Sequence, residues 1–600
     1  MRAGLPCFLL AVVLLLGAAC DTSPKSSQST DVASEVTSDV AADSPAEDLL
    51  DNGADTAVSD TVNDGRTDGA ADGVGDMDAD TAPDESDVAV VVVEPGDPGT
   101  ADVRFDVDTT ARRRPISPYI YGTNAVSFSE VVGGDLMTLG RFGGNRLTAY
   151  NWETNASNAG EDWLNQNDDY LGGGDTPGEA ARGRTQSAND VGAAMLVTVP
   201  ILDYVAADKD GGGDVQGSAN YLTTRFCANL STSPGTPDTT PDTADGSVYQ
   251  DAFVALMEAA FPQAHNGGPE LYYLLDNEPD LWSSTHPRIH PDAVTYAELL
   301  ARSLDYAAML KRVAPRATVF GPALGGWWAY WDLSGAPDAG GRDFIDFYLQ
   351  GFRDAEQQGG TRLLDVLDLH WYPEIRPGGG TRITEADASP AVAAARVQAP
   401  RSLWDPSYVE ESWITQCCWS GGLALIPELR SRIDTNYPGT RLSFSEYTYG
   451  GGEHISGAVA QAAVLGTFGR EGVWAAMLWP LASNYPYILG GFELYRNYDG
   501  QGGRFGETSV SANSSDVAVA EAFASVRGDG TVVLVVVNRS LESQVAGVAV
   551  RHTGQLSVAE VYQVVEGQSS PVQAADVASV ATNAFSLTLP AMSAATLVLR

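Results

Sequence analysis

Cysteine is scarce in this chain, with 5 in 600 residues, and beyond residue 20 only Cys227, Cys417 and Cys418 remain. Three thiols exclude a disulfide scaffold, and an odd number lets at most one pair close. A Cys227 bridge to Cys417 or Cys418 and free buried thiols both stay open. No Cys/His spacing matches a zinc site. Positive charge is short as well: 35 Lys and Arg face 79 Asp and Glu, a net −44. That balance argues against a nucleic-acid partner and suits a neutral substrate met outside the cell. Aromatics are missing altogether from residues 21–98. Within 21–100, 21 acidic residues face only Lys25 and Arg66, so 19 of the 44 net negative charges fall there. Such a stretch cannot bury enough apolar surface to offset its ordering entropy, and it is read as an extended, disordered spacer over 20–100. The valine run at 88–93 is the exception, either a strand or an apolar piece of linker.

The start of the chain lacks an apolar run long enough to cross a bilayer. Residues 9–16 are apolar, follow Met1-Arg2 and lead into Gly17-Ala-Ala-Cys20. This is the pattern of a secretory signal, 1–19. With Cys at the cut site it resembles a bacterial lipoprotein signal, which would place a lipid anchor on Cys20 and attach the protein to the cell envelope without spanning it. An outer-membrane or cell-surface location is expected, although Asp21 resembles an inner-membrane retention signal of some bacteria. An ordinary signal with an incidental Cys is the alternative.

From Tyr119 onward short apolar runs alternate with amphipathic stretches. Strands are expected at 120–123, 138–142, 194–199, 271–275, 318–322, 366–370, 442–446 and 473–479. Helical spacing falls between them at 249–261, 291–312, 342–356, 423–435 and 456–472. Eight strands in this order define an α/β fold, a (β/α)8 TIM-like barrel over 119–484. Beyond 485 the pattern turns to Val- and Thr-rich runs with turn residues between them, an accessory antiparallel β-sandwich over 485–600. Residues 102–110 alternate in the same way, so 101–118 are expected to supply a strand to that sandwich.

The stretch Leu271-Tyr-Tyr-Leu-Leu-Asp-Asn-Glu278-Pro279 is a buried strand stopped by a proline, with a carboxylate at its C-terminal end. Arg441-Leu-Ser-Phe-Ser-Glu446 repeats the pattern three strands later. A strand-end acid can also cap a helix or form a salt bridge. Two of them on the fourth and seventh strands, however, face each other across a barrel mouth, where chemistry is done in this fold. Hydrolysis of a glycosidic bond with retention needs such a pair about 5 Å apart. Sugar rings stack on aromatic faces, and Trp327, Trp328, Tyr330 and Trp331 follow strand five. His370, Trp371 and Tyr372 follow strand six, and Trp479 closes strand eight. About half of these are expected to be packing. Asn277 beside the acid, with Arg141, Asn145 and Trp152 in the Gly-rich loop after strand two, adds polar contacts.

Leu275-Asp-Asn-Glu-Pro-Asp-Leu-Trp282 with Thr285-His286, Gly143-Gly-Asn-Arg-Leu-Thr-Ala-Tyr-Asn-Trp-Glu-Thr-Asn155 and Ser445-Glu-Tyr447 together resemble glycoside hydrolase family 44. The resemblance runs from about 102 to 600. It implies a barrel with a β-sandwich, endo-β-1,4-glucanase or xyloglucanase activity with retention, Glu278 as acid/base and Glu446 as nucleophile. No cofactor is required for that chemistry. A structural calcium is an expectation of the family whose ligands cannot be mapped onto these residues. The expected partners are a β-glucan polysaccharide and, through Cys20, a membrane; a monomer is expected. A β-1,4-mannanase or xylanase on the same scaffold is the near alternative. A non-hydrolytic glycan-binding lipoprotein and a structural envelope protein are the distant ones.

Overall fold

The computed structural model describes residues 91–124, 128, 133–480 and 485–600. The leader, Cys20 and the spacer to residue 90 lie outside the described residues. Eight parallel strands close into a barrel: β1 (Gly122–Thr123), β2 (Leu139–Phe142), β3 (Ala194–Val199), β4 (Leu271–Leu275), β5 (Val319–Leu324), β6 (Val366–Trp371), β7 (Arg441–Tyr447) and β8 (Ala475–Leu478). Each expected strand is present, shifted only at its ends. β4 is buried at every position because one face meets the barrel interior and the other the surrounding helices, which is why it reads as an unbroken apolar run.

The interior is filled by alternate residues. Leu139, Leu196, Tyr272, Phe320, Val366 and Met477 belong to one cluster. At its base Tyr119, Tyr272, Phe320 and Trp474 meet at tilted or edge-on angles, with centroids 5.3 to 5.7 Å apart. Steps of two from these positions lead to Arg141 on β2 and to Asp368 and His370 on β6. The parity that fills the core therefore aims these polar groups inward above it.

The sandwich follows the spatial order Gln568–Gln573, Val558–Val565, Ser593–Leu599, Val532–Asn538, Ala520–Val526, Thr508–Ser514, Val103–Asp108, Gln544–Arg551 and Ala584–Leu589. Val103–Asp108 joins it as expected, antiparallel to Thr508–Ser514, but it runs parallel to Gln544–Arg551, so the sheet is not antiparallel throughout. Three strands escape a reading by pattern. Thr508–Ser514 and Gln568–Gln573 are polar, and Ser593–Leu599 is buried on both faces without alternation. Residues 486–496 form a helix rather than a strand. Val93 of the valine run bridges His552.

Barrel and sandwich share the helix Ile455–Glu471, in which every residue from 455 to 469 is buried. A helix apolar all round needs cover on both sides, and the sandwich supplies the second side. A Cβ on Gly466 would lie 2.2 Å from Phe523 Cγ, so the close approach requires glycine there. The thiols settle differently from either expectation: Cys417 and Cys418 are bonded to each other, and Cys227 is free. Adjacency decided the pairing. No helix among the described residues is long and apolar enough to cross a membrane.

Candidate active site

β4 ends at Leu275, and the chain then turns through Asp276 (φ 59°) and Glu278 (φ 42°), both left-handed. Non-glycine residues hold that conformation only when the surroundings fix it, and here Asp276 does so. Its buried carboxylate accepts from Thr148 Oγ1 at 2.6 Å, Ile201 N at 2.7 Å, Asn277 N at 2.8 Å and Trp282 Nε1 at 3.3 Å. Glu278 is thereby lifted over the barrel mouth, with its own N–H on Ala323 O at 3.0 Å. On the opposite wall the register slips between Leu369 and His370 and again between Phe444 and Tyr447. Both slips place the extra residue on β7, and a bulge at a strand end re-aims side chains, here turning Glu446 toward Glu278 and the His370 that parity already points inward.

One oxygen of Glu278, one of Glu446 and a ring nitrogen of His370 lie within 4.8 Å of one another. His370 Nδ1 is 3.0 Å from Glu278 Oε1 and 3.5 Å from Glu446 Oε2. Glu446 is buried, with Arg141 Nη1 donating to Oε1 at 2.5 Å and Tyr372 OH to Oε2 at 2.6 Å. Burial would push its pKa up, but His370, Arg141 and the Tyr372 hydroxyl together hold it below the usual carboxylate range. His370 is fully buried too; desolvation works to lower its pKa, and the two carboxylates win and raise it. The site thus holds one buried carboxylate biased toward its ionised form, a second that is partly open to solvent, and an imidazole between them whose proton affinity they raise.

The expected site residues divide into those that hold the carboxylates and those that can meet a sugar. Arg141 is buried, with Nη2 on Asn277 Oδ1 at 2.6 Å and Nη1 also on Asn124 Oδ1 at 3.2 Å, while its Nε has no partner. Both terminal nitrogens are thus turned onto protein groups, Glu446 among them. Asn277 passes the constraint to Asn145, its Nδ2 donating at 3.0 Å, and Asn145 Nδ2 continues to Asp162. Trp371 is core, its Nε1 on Tyr449 OH at 3.1 Å, and Trp152 likewise is buried. Trp479 leans on the loop after β2, where a Cβ on Gly144 would lie 3.0 Å from its Cη2.

Trp327, Trp328 and Trp331 lie on the short helix Trp327–Asp332. It starts just beyond Gly325, where a Cβ would sit 3.2 Å from Glu278 Oε1. Of the three, Trp327 is buried and Trp328 is 47% exposed. Two further tryptophans complete this wall. Trp413 stacks on Trp328 with centroids 4.9 Å apart, and Trp419 stacks on Trp331 at 5.7 Å. Neither follows a barrel strand directly, so strand-end reasoning could not find them; the signal was the Trp413-Ile-Thr-Gln-Cys-Cys-Trp419 spacing itself. Asp280 was missed as well. It accepts from Gly325 N at 2.9 Å and Ser334 Oγ at 3.0 Å, and burial with Glu278 nearby pushes it up to about 6.

The bonded pair Cys417–Cys418 lies between Trp413 and Trp419 in a single π-helical turn, Ile414–Cys418. Breaking that bond frees the turn that sets both rings. Substituting Cys417→Ser with Cys418→Ser is therefore expected to raise KM on a polymeric substrate by about 2- to 10-fold, the worth of an aromatic contact, with kcat unchanged. Kinetics on polymer and on a short aryl glycoside check it; an unchanged KM on polymer would show that the wall does not depend on the bond.

A closed parallel barrel with two carboxylates converging at the C-terminal ends of its fourth and seventh strands is the framework of a glycoside hydrolase. Residues 156–375 match the model of glycoside hydrolase family 44. The chain is 40% identical over 527 residues to endoglucanase A of Paenibacillus lautus, an alignment covering 83% of this chain and 73% of that protein. Among solved structures it is similar to a family 44 endoglucanase from Clostridium thermocellum, with TM-score 0.78, 40% identity and coverage of 83% of this chain and 99% of the other. It is equally similar to a family 44 xyloglucanase from Paenibacillus polymyxa solved with xyloglucan, with TM-score 0.78, 38% identity and the same coverage. The chain belongs to glycoside hydrolase family 44.

Proposed function

We propose that the protein is an endo-acting, retaining glycosidase that cuts β-1,4-glucan backbones, including xyloglucan. The observation that supports this reading is that an oxygen of Glu278 and one of Glu446 lie within 4.8 Å of each other, the close spacing of a retaining pair rather than the wider one that admits a water. Glu446, kept ionised by Arg141, His370 and Tyr372, forms the bond to the anomeric carbon. As the glycosidic C–O bond breaks, its electron pair takes the proton of Glu278. Glu278 then draws a proton from water, whose oxygen displaces Glu446 and restores both groups. No cofactor enters either step. Asn277, with one amide hydrogen committed to Asn145, has a second to offer the 2-hydroxyl of the sugar undergoing cleavage.

Reducing-end release from carboxymethylcellulose, xyloglucan, mannan and xylan tests the substrate, and proton NMR of the first product tests the stereochemistry. The β-anomer released first from a glucan supports the reading. The α-anomer first would refute retention, faster turnover of mannan or xylan would reassign the sugar, and binding without turnover would leave a glycan-binding protein.

Residues 1–20 support lipidation at Cys20, with the acidic spacer tethering a monomeric enzyme to the envelope. Cys20→Ser is expected to move the protein from the membrane fraction to the soluble one; unchanged partitioning would remove the anchor. Glu153 is buried and pushed up to about 7, first by burial and then by Asp245 and Asp242, against the Asp242 peptide N–H. An acid whose folded pKa is raised binds its proton more tightly when folded, so its contribution to stability falls as pH rises from about 4.5 toward 7. Glu153→Gln is therefore expected to lose less Tm than wild type between pH 5 and pH 8, and scanning calorimetry checks it.

A further inference from the structure

A second cleft lies away from the catalytic one. It has a volume of about 550 Å3 and lies where the barrel meets the sandwich, lined by Arg112, Arg113, Arg114, Arg470 and Trp404 with Ser509 to Ser514 along one side. Arg470 is the penultimate residue of the helix Ile455–Glu471, which descends from β7 to the start of β8. Its end therefore sits beside the starts of the barrel strands, at the opposite face from Glu278 and Glu446. Nothing in the cleavage reaction uses these residues.

The cleft is built rather than incidental. The strand Thr508–Ser514 pairs first with Arg114–Pro115 and then with Val103–Asp108: Ser509 lies opposite Arg114 and Ser511 opposite Asp108. The five residues between, 109–113, face only Val510 and are thrown out as a loop. That loop is fixed, with Ser511 N on Ala111 O at 3.0 Å, Asp108 accepting from Thr110 N at 2.8 Å, and Arg113 Nη1 on Thr109 O at 2.7 Å. Arg112 stands in it with a left-handed backbone, φ 49°, and has no ion-pair or hydrogen-bond partner among the described residues.

Charge in the cleft runs against the molecule as a whole. In a chain of net −44, four guanidinium groups line this space against two carboxylates. Both carboxylates are already engaged. Glu521 is clamped between Arg470 Nη1 at 2.7 Å and Arg539 Nη2 at 2.5 Å, and Glu471 accepts from Arg470 Nε at 2.9 Å. Two donors are left over: Arg470 Nη2 and Trp404 Nε1 are both buried with no hydrogen-bond partner. They are close together, since the Arg470 guanidinium lies 4.1 Å from the centroid of the Trp404 ring. Buried donors are rarely left unpaired, and two in one cationic cleft call for an acceptor that carries negative charge.

We propose that this cleft is a second, non-catalytic glycan site that takes a sugar carboxylate, the uronic-acid unit of an acidic polysaccharide. The carboxylate meets the arginines and the two unpaired donors; the sugar hydroxyls meet the Ser and Asn side chains of Thr508–Ser514. An inorganic oxyanion would satisfy the arginines but leave those hydroxyl partners unused, so affinity separates the two sources. The proposal is independent of the sugar cut at the barrel mouth.

Isothermal titration of the full chain with trigalacturonate, cellotriose and inorganic phosphate tests it. Expected is binding of trigalacturonate that weakens about 10-fold or more in the Arg112→Ala, Arg113→Ala double variant and measurably in Trp404→Phe, which leaves a smaller aromatic ring without the donor. Affinity should also fall as salt rises. Unchanged hydrolysis of neutral glucan by both variants certifies their fold. No binding of trigalacturonate, binding unaffected by the variants, or equal affinity for phosphate or cellotriose would each overturn the proposal, the first by leaving the donors to water.

Discussion

Glu446→Ala is expected to lower kcat on a β-glucan by on the order of 10^4-fold or more, as removal of a covalent nucleophile does, while leaving substrate binding within a few-fold. The expectation rests on burial: Glu446 is fixed by Arg141 and Tyr372, and the one other carboxylate in its cluster, Glu278, is the proposed acid/base. Removing it opens space for a small anion on the face from which it attacks. Azide added to the variant with an activated aryl β-glycoside should therefore restore turnover and yield the α-glycosyl azide. Glu278→Ala should behave differently. An activated leaving group departs without a proton, so the first step survives, the glycosyl-enzyme accumulates, and azide attacks it from the other face to give the β-azide. Product configuration by NMR checks the assignment; a β-azide from the Glu446 variant would reverse the two roles.

Legibility from sequence followed physical signals of very different strength. β4 is a five-residue apolar run ended by Pro279, and its limits agree with the structure residue for residue. Glu278 and Glu446 could be placed because a strand end in a barrel has only one functional face. What lies between them was harder to see. Arg141 reads as a sugar contact because a polar, Gly-rich loop follows it, yet strand parity turns it inward onto Glu446. Trp371 falls one residue past His370 and so faces the helices instead of the site. Trp413 and Trp419 reach the mouth from a long excursion after β6, where no periodic pattern reports which way a ring will point. The sandwich shows the same limit: a strand such as Gln568–Gln573, polar and largely exposed, carries no alternation to detect.

Removing the Arg141 cation is expected to shift the acidic limb of the kcat/KM profile to higher pH and to reduce activity at pH 7 by about 10^2-fold or more, comparable to losing one donor of a preorganised charge-stabilising site. In Arg141→Met the burial that raises the Glu446 pKa loses one of the two charges opposing it, so more of the carboxylate is protonated and unable to attack at a given pH. Asn277 Oδ1 and Asn124 Oδ1 lose their donor in the same step. Stability should follow the sign of the shift. A carboxylate whose folded pKa is lowered adds stability above its unfolded value and loses it as pH falls through the folded one, so wild type should exceed the variant in Tm by more at pH 7 than at pH 3. Arg141→Lys separates charge from geometry. A lysine keeps the cation but cannot reach Glu446, Asn277 and Asn124 together, so it should retain most of the wild-type acidic limb and still lose kcat. If Arg141→Met instead raised KM and left the acidic limb in place, Arg141 would be gripping the sugar, and the buried pair with Glu446 would be incidental to catalysis.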